Sequence, residues 1–252
     1  MTQPSPSAGT LLRWRVPIAV FLAGVLLASV AAAIWDRWPG DVEGLRLLQG
    51  VANGRIWEVV SWMNVVGYPT LSFLLAAVAA SWLVYRGLRR PAVVLASIIV
   101  VETAVVHFTK WAVHRPRPVL PSDLQALADA SGYSFPSGHV VFTVTLFGGL
   151  AYLLARHWKR TGWLRWSTLA LFLTPAALMG PVRVASGVHW PSDVLGGYLF
   201  SFLAVLLLVW LHDRAGPSPV VPRHEAPPTR IDWEAVALPS DSSVSPVPEG
   251  SQ

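Results

Sequence analysis

Cysteine is absent from this chain of 252 residues, and charged residues are scarce, at 13% of the composition. The absence of cysteine excludes disulfide bonds, thiolate metal ligands and a cysteine nucleophile. The scarcity of charge, beside 53% apolar residues, is atypical of a soluble domain of this length and typical of a helical membrane protein. The composition therefore predicts a chain that lies largely within a bilayer.

The apolar residues are concentrated in six runs that polar segments separate. Each run is close to the roughly 20 residues that an α-helix needs to cross a bilayer. The runs span residues 16–34, 67–85, 92–108, 139–155, 166–182 and 194–211. We therefore expect an all-α polytopic membrane protein with six transmembrane helices.

Three further segments complete the predicted organisation. Residues 1–12 are polar and are predicted to be a disordered N-terminus before a membrane domain over 13–214. Residues 35–66 mix charged and apolar side chains at helical intervals, which indicates an amphipathic segment at the membrane interface. Residues 215–252 are rich in proline and serine, and this composition predicts a disordered cytoplasmic tail.

The distribution of lysine and arginine predicts the orientation of the chain. Six spans place both termini on one side, where 12 basic residues fall, against 7 on the other side. The excess predicts cytoplasmic termini in the cell membrane. Although the net charge is +5, the basic residues lie between apolar runs instead of forming one patch, so we expect no nucleic-acid binding.

The predicted orientation gathers three polar clusters at the outer ends of the third to sixth spans. Lys110, Arg117 and Arg183 offer positive charge and forked donors that suit phosphate oxygens. Ser137 and Gly138 immediately precede the fourth span, where free backbone amides at a helix N-terminus bind anions and glycine permits close approach. These side chains together predict a phosphate-binding site.

Two histidines supply the chemistry that such a site requires. Taken alone, the stretch from Arg183 to Asp193 fits either an interfacial anchor or a reactive site, and Pro191 predicts that a helix starts just after His189. Asp193 can orient His189 as a nucleophile, while His139 can act as acid and then as base. The joint arrival of these groups with the cations favours phosphoryl transfer over anchoring.

Four other polar side chains could support the site from outside the three clusters, and each has an alternative interpretation. Glu102 lies inside the third span, where a carboxylate is costly and either functional or paired within the protein. His107 could reach the site or pack between helices. His114 and Arg115 could contact a second phosphate of a diphosphate or be solvated loop residues.

The ordered motifs resemble the three-part signature of the type 2 phosphatidic acid phosphatase superfamily. The motifs are Lys110-x6-Arg117-Pro118, then Pro136-Ser137-Gly138-His139, then Arg183-x5-His189-x3-Asp193. The resemblance covers about residues 67–211. The family commonly has serine before the third-motif arginine, whereas this chain has Val182, which removes one hydrogen bond to phosphate.

The resemblance to bacterial membrane lipid phosphatases of this family implies six spans and hydrolysis of lipid phosphates without a metal or other cofactor. It implies that His189 is the nucleophile, that Asp193 is the carboxylate that orients it and that His139 is the acid and base. It assigns the phosphate to the remaining motif residues: Lys110, Arg117, Ser137, Gly138 and Arg183. The composition of the motifs also holds no carboxylate or cysteine cluster for a metal.

We therefore expect hydrolysis of a lipid phosphate or diphosphate at the outer membrane surface through a phosphohistidine. Polyprenyl diphosphate, phosphatidic acid and phosphatidylglycerol phosphate all fit, and the resemblance favours a polyprenyl diphosphate such as undecaprenyl diphosphate. One alternative is a phosphotransferase that delivers the phosphoryl group to an alcohol. Another is a non-catalytic transporter of lipid phosphates, although binding alone requires neither His189 nor His139. Nothing in the sequence indicates a protein partner.

Overall fold

The computed structural model describes residues 8–52, 54–157 and 162–214. Over these ranges the chain forms nine α-helices and no strand. The all-α prediction is confirmed for this part of the chain. The predicted disordered tail at 215–252 lies outside the described residues, as do residues 1–7 of the predicted N-terminal segment.

The helices follow the chain with short connections, except for one long loop between the sixth and the seventh. Their bounds are α1 Ala8–Ile34, α2 Asp41–Val51, α3 Gly54–Ser61, α4 Met63–Val66, α5 Pro69–Tyr85, α6 Arg89–Val113, α7 Gly138–His157, α8 Trp163–Ala185 and α9 Pro191–Arg214. The first helix begins before the predicted boundary at residue 13, because Leu11 and Leu12 are strong helix formers that extend it.

Five of the described helices are long and apolar enough to cross a membrane, namely α1, α6, α7, α8 and α9. Helix α5 is apolar but has only 17 residues. At 1.5 Å per residue it is about 25 Å long, slightly less than the roughly 30 Å of a bilayer core. Each of these six helices contains or nearly contains one of the six predicted apolar runs.

The ends of the helices follow from local sequence chemistry. Proline occupies the first position of α5 and of α9. The missing N–H of proline breaks no helical hydrogen bond at this position, and its fixed φ suits a helix. The start of α9 at Pro191 is therefore as predicted. Helix α6 ends where His114 adopts a left-handed conformation with φ 53° and donates its N–H to the carbonyl of Lys110 at 3.0 Å.

Helix α7 forms the centre of the bundle. Of its most apolar stretch, 61% is buried, compared with 17% for α1. Near its start, Val140 and Val144 pack in one cluster with Met179 of α8, and towards its end Leu146 and Leu150 belong to a second cluster that includes Leu208 of α9. The central helix therefore fixes the positions of the neighbouring helix ends that surround its first turn.

The predicted amphipathic segment at 35–66 is divided into three short helices, α2, α3 and α4. Leu45 of α2 is fully buried in the same cluster as Val140, Met179 and Trp190. A Cβ on Gly44 of α2 would lie 2.9 Å from the ring of Pro191, so this glycine permits close packing on the start of α9. The segment consequently covers the connection between α8 and α9.

Candidate active site

A cavity of about 440 Å³ lies where the end of α6, the start of α7 and the end of α8 meet. It extends from the polar helix ends to residues two turns deeper on α6, within the apolar part of the bundle. The predicted site residues that line it are Lys110, Arg117, Gly138, His139, Arg183 and His189, together with Glu102 and His107. Residues from three separate motifs therefore share one cavity.

Two of the three cations are held at the cavity by neutral carbonyl oxygen atoms, from the loop between α6 and α7 and from the connection between α8 and α9. Lys110 Nζ donates to the carbonyl of Tyr133 at 2.7 Å. Arg117 Nη2 donates to the carbonyl of Ser131 at 2.8 Å, and its Nη1 donates to that of Val188, also at 2.8 Å. Because these acceptors are uncharged, the hydrogen bonds orient the cations without neutralising them.

Arg183 is the most deeply placed cation of the cavity, with 4% of its surface exposed. Its Nη1 donates to Oδ1 of Asn64 at 2.7 Å, and Asn64 lies in the short helix α4. Its Nε has no hydrogen-bond partner among the described residues. A buried guanidinium N–H of this kind is costly to leave unpaired, so it is available to an anionic ligand.

His189 lies in the connection between α8 and α9 and is 2% exposed. Its Nδ1 is 3.4 Å from Oδ2 of Asp193, and its Nε2 is 3.4 Å from Nη1 of Arg117. Burial lowers the pKa of His189 well below its usual value of 6.5, and the positive charges of Arg183, Lys110 and Arg117 lower it further. The imidazole is therefore neutral near pH 7, which is the nucleophilic form.

Asp193 lies behind His189, in the first turn of α9, and is fully buried. Its Oδ2 accepts the backbone N–H of Trp190 at 2.9 Å, and its Oδ1 accepts Nη1 of Arg115 at 2.6 Å. The carboxylate is thus fixed on both oxygens, with Oδ2 facing the ring of His189. Oδ2 lies 3.4 Å from His189 Nδ1, which has no hydrogen-bond partner among the described residues, so the carboxylate is placed beside the ring that it would orient without a hydrogen bond to it.

The first turn of α7 supplies the groups on the opposite wall. His139 Nε2 and Ser137 Oγ are buried without a hydrogen-bond partner among the described residues. A Cβ on Gly138 would meet nothing within 4 Å, because this residue borders the cavity. Buried polar atoms without partners are rare in folded proteins, so the unpaired Nε2 of His139 at the cavity indicates a polar ligand. Ser137, which precedes α7, does not line the cavity.

Two of the less certain candidates also line the cavity. Glu102 is 8% exposed and its Oε1 accepts the hydroxyl of Thr145 at 2.9 Å. The Nδ1 of His107 lies 2.8 Å from the carbonyl of Thr103, one turn earlier in α6, so this nitrogen carries a proton. Both side chains therefore have partners within the protein and also border the deeper part of the cavity.

His114 and Arg115 do not line the cavity. The ring of His114 lies 4.4 Å from that of Tyr133, outside the site. Arg115 is 1% exposed, and its guanidinium is hydrogen-bonded to Asp193 and to Asp41. For Arg115 the structure contradicts both a solvated loop residue and contact with a second phosphate in this cavity. Neighbouring proline residues turn the chain so that this side chain points inward.

Several residues that surround the site were not predicted. Asn64 holds Arg183, the ring of Tyr68 packs edge-on against that of His139 at 5.9 Å, and Asp41 binds Arg115. Gly67 lies so close to the His139 ring that any side chain there would collide with it. The one sequence feature that could have indicated these residues is that Asn64 and Gly67 interrupt an otherwise apolar stretch.

The arrangement surrounds a pocket with fixed positive charge, one neutral histidine backed by a carboxylate and a second histidine on the facing wall. Such a pocket can bind a tetrahedral anion, attack it and protonate what leaves. Among the described residues, no group of three His, Cys, Asp or Glu side chains is arranged to hold a metal ion.

Comparison with known proteins gives matches over the same part of the chain. The model of the PAP2 superfamily matches residues 91–217, half of the chain. The bacitracin transport permease protein BcrC of Bacillus licheniformis is 30% identical over 141 residues, which cover 55% of this chain and 64% of that protein. An undecaprenyl-diphosphatase of Sulfolobus acidocaldarius is 30% identical over 135 residues, covering 51% and 60%. The chain thus spans just under two thirds of each relative.

A solved structure has a similar fold. The transmembrane PAP2-type phosphatidylglycerolphosphate phosphatase from Bacillus subtilis superposes with a TM-score of 0.64 and 21% identity, over 78% of this chain and 96% of that one. The five long apolar helices and this likeness to a transmembrane fold identify a multi-pass membrane protein.

Proposed function

The chain belongs to the PAP2 superfamily, and we propose that it hydrolyses a lipid phosphate or diphosphate at the end of its transmembrane helices. The single observation that carries the proposal is the shared cavity. It joins Lys110, Arg117 and Arg183 to two histidines and continues along α6 to Glu102. A phosphate can occupy the polar end while the attached lipid remains among the helices and the bilayer.

The first step of the proposed reaction transfers the phosphoryl group to His189. Asp193 faces Nδ1, so Nε2 attacks phosphorus while the bond from phosphorus to the leaving oxygen breaks. Protonated His139 gives its proton to that oxygen, and Asp193 stabilises the positive charge that develops on the imidazole. The lipid alcohol, or lipid monophosphate, departs and leaves a phosphohistidine.

The second step restores the enzyme with water. The now neutral His139 accepts a proton from a water molecule. As it does so, the water oxygen attacks phosphorus and the bond between phosphorus and Nε2 of His189 breaks. Inorganic phosphate is released, His189 returns to its neutral state and His139 to its protonated state. Lys110, Arg117, Arg183, Ser137 and the Gly138 amide stabilise the charge on the non-bridging oxygens in both steps.

The proposed topology has six spans, with α5 as the second. Local thinning of the bilayer accommodates a helix that is somewhat short. The excess of lysine and arginine on the side of the termini supports cytoplasmic termini and a site that faces outward. In this arrangement a membrane domain over 13–214 contains the phosphatase core, about 67–211.

The proposed substrate is a polyprenyl diphosphate, with phosphatidic acid and phosphatidylglycerol phosphate as the competing lipids. The undecaprenyl-diphosphatase among the relatives supports the first choice, whereas phosphatidylglycerophosphatase B of Bacillus subtilis, 32% identical over 99 residues, supports phosphatidylglycerol phosphate. The three cations around one cavity match the high charge of a terminal diphosphate.

Phosphate release tests the proposal directly. Purified protein in detergent is mixed with each lipid phosphate or diphosphate of a panel, with and without a chelator and with and without an added alcohol. We expect release of inorganic phosphate that the chelator does not reduce. Phosphorylation of the alcohol in preference to water would identify a phosphotransferase. Binding of the lipids without release would contradict hydrolysis and favour a transporter.

A further inference from the structure

Arg115 connects two carboxylates from distant parts of the chain behind the proposed nucleophile. It follows α6, while Asp41 begins α2 and Asp193 lies in the first turn of α9. All three residues are buried, with exposures of 1%, 2% and 0%. The cavity is bordered by none of them, so their charges serve a purpose other than direct contact with a ligand there.

Every nitrogen of the Arg115 guanidinium has an acceptor. Nη1 donates to Asp193 Oδ1 at 2.6 Å and to the hydroxyl of Ser192 at 2.8 Å. Nη2 donates to Asp41 Oδ2 at 3.0 Å, and Nε donates to the carbonyl of Asp36 at 3.2 Å. A planar guanidinium with all its groups engaged has one orientation, so it fixes both carboxylates relative to each other.

Asp41 also binds the start of α9 directly. Its Oδ1 accepts the backbone N–H of Ser192 at 2.9 Å, and its Oδ2 accepts the Ser192 hydroxyl at 2.7 Å. The backbone N–H of Trp38 donates to the same Oδ2 at 2.7 Å. One carboxylate at the start of α2 therefore holds the first turn of the helix that contains Asp193.

We propose that Asp41 and Arg115 are positioning residues of the phosphoryl-transfer site, which act on His189 through Asp193. This inference rests on the proposed function. Arg115 donates a hydrogen bond to Oδ1 of Asp193. The other oxygen, Oδ2, accepts the Trp190 N–H and faces the His189 ring. Asp41 in turn orients Arg115 and balances its charge. The residue at position 41 lies outside the segment that the family model matches, 91–217.

The proposed coupling explains why the segment before α5 is folded against the site. Removal of the Asp41 charge would leave Arg115 with one carboxylate instead of two and free the guanidinium to rotate. Asp193 would then lose the fixed orientation that presents Oδ2 to His189. Outer partners that orient a metal-bound histidine commonly contribute about 10- to 100-fold to activity, and we expect an effect of the same order for partners that orient His189 through Asp193.

The exposed ion pair between Arg46 and Asp123 provides a matched control. It joins the same two parts of the chain, since Arg46 lies in α2 and Asp123 in the loop after α6, with Nε 2.7 Å from Oδ2. Both side chains are about half exposed. An exposed pair contributes little, so Asp123→Asn should leave kcat and KM within about twofold of wild type.

Asp41→Asn should lower kcat on a lipid phosphate by about 10- to 100-fold while KM changes less than threefold, because the phosphate-binding cations are untouched. Asp193→Asn should lower kcat more. The double variant should be no slower than Asp193→Asn alone, within about threefold, because both changes act on one orientation. The coupling would be refuted if the loss of kcat in the double variant equalled the product of the two single losses. It would also be refuted if Asp41→Asn had the same kcat as the Asp123→Asn control.

Arg115→Lys provides a second variant that retains the charge between the carboxylates, should Asp41→Asn fail to fold. Lysine cannot reproduce the fork, so kcat should fall by about 10-fold or more with KM nearly unchanged. Wild-type kcat in this variant would contradict the proposal.

A measurement that needs no activity separates this inference from the proposed function. The nitrogen-15 NMR signals of labelled histidine report which ring nitrogen carries the proton, and His189→Gln assigns the signals of His189. We expect the wild-type proton on Nδ1, facing Asp193, and a changed tautomer ratio in Asp41→Asn. An unchanged His189 signal in that variant contradicts the coupling, whereas absence of phosphate release by the wild type contradicts only the proposed function.

Discussion

The two ends of the helical bundle contain the same kinds of charged side chain but hold them differently. At the end with the cavity, Arg183 is buried and its Nε lacks a partner among the described residues. At the opposite end Arg86 and Arg214 are exposed, and their guanidinium groups lie 5.5 and 4.6 Å from the ring centroids of Trp82 and Trp210. Arginine on an aromatic ring at a helix end is typical of an interfacial anchor.

The histidines differ in the same way. His189 is buried beside a carboxylate and three cations, whereas His157 and His212 face each other at the opposite end, with their Nε2 atoms 3.2 Å apart. Both ends therefore contain arginine and histidine, and composition alone does not separate them. Burial and orientation do separate them. Arg86 and His157 also line a common pocket, but its volume is about 120 Å³, against about 440 Å³ for the cavity at the other end.

The largest difference between the ends is expected from His189. His189→Ala removes the proposed nucleophile, and phosphate release should fall by at least about 10³-fold, as expected for a group on which covalent catalysis depends. Initial rates on a lipid phosphate measure the loss, and thermal unfolding in detergent checks that the variant is folded. His212→Ala at the opposite end is the matched control, and a comparable loss there would remove the distinction between the ends.

Arg183 should give the next largest effect. Arg183→Gln removes a buried guanidinium that borders the cavity, and kcat/KM should fall by about 10²- to 10³-fold, the usual effect of removing one donor that stabilises transition-state charge. Arg214→Gln provides the exposed counterpart in α9. If the two variants lost activity equally, the buried cation would have no special role in the reaction.

A close approach of backbone to His139 predicts an intermediate effect at Gly67. A methyl group at this position would collide with the imidazole and displace it. Gly67→Ala should therefore lower kcat by about 10- to 100-fold, because a misplaced catalytic group is inefficient. Gly148→Ala in α7 is the control, since its Cβ would meet Val205 at an ordinary 3.5 Å. Unchanged kcat in Gly67→Ala would contradict the role of His139.

The environment of His189 also predicts a pH dependence. Burial and the surrounding cations lower the pKa of His189 well below 6.5, so its neutral form persists as the pH falls through that value. The acid limb of kcat/KM, which reports the free enzyme, should therefore have an apparent pKa below 6.5. The pKa of the substrate is measured separately by phosphorus NMR, and its contribution is subtracted from the pH profile. An acid limb at or above 6.5 would contradict the predicted environment of His189.

The smallest effect is expected at the end without the cavity. Arg86→Gln leaves the reaction untouched, because its guanidinium lies on the ring of Trp82 far along the helices from His189. Phosphate release should stay within about twofold of wild type, as for most exposed interfacial charges. A loss above tenfold in a folded variant would show that the two ends are coupled.

Much of the fold could be predicted because each apolar run is continuous in sequence and long enough to define its own helix. The site followed from the same pattern, since alternating runs bring Lys110, His139 and His189 to one end of the bundle. The division of residues 35–66 into three helices was not predicted. Helical periodicity detects an amphipathic face but not the bends between short helices.

The residues missed at the site share a physical reason. Asp41 begins a helix, where an acidic residue is explained by the helix dipole alone, and its contact with Arg115 spans 74 positions. Asn64 reaches Arg183 across 119 positions. The direction of Arg115 was misjudged for the same reason, because its acidic partners come from two distant segments. Such contacts depend on packing that one sequence does not reveal.

Trapping the phosphoenzyme tests the central claim most directly. The protein is mixed with a lipid phosphate radiolabelled at phosphorus, quenched in alkali, where phosphohistidine is stable, and digested with trypsin. Cleavage after Arg183 and Arg214 gives the peptide 184–214, whose two histidines are His189 and His212, whereas His139 lies in a different peptide. We predict label on 184–214 in wild type and none in His189→Ala. Label on the peptide that contains His139, or on 184–214 in the His189→Ala variant, would contradict the assignment of His189 as nucleophile.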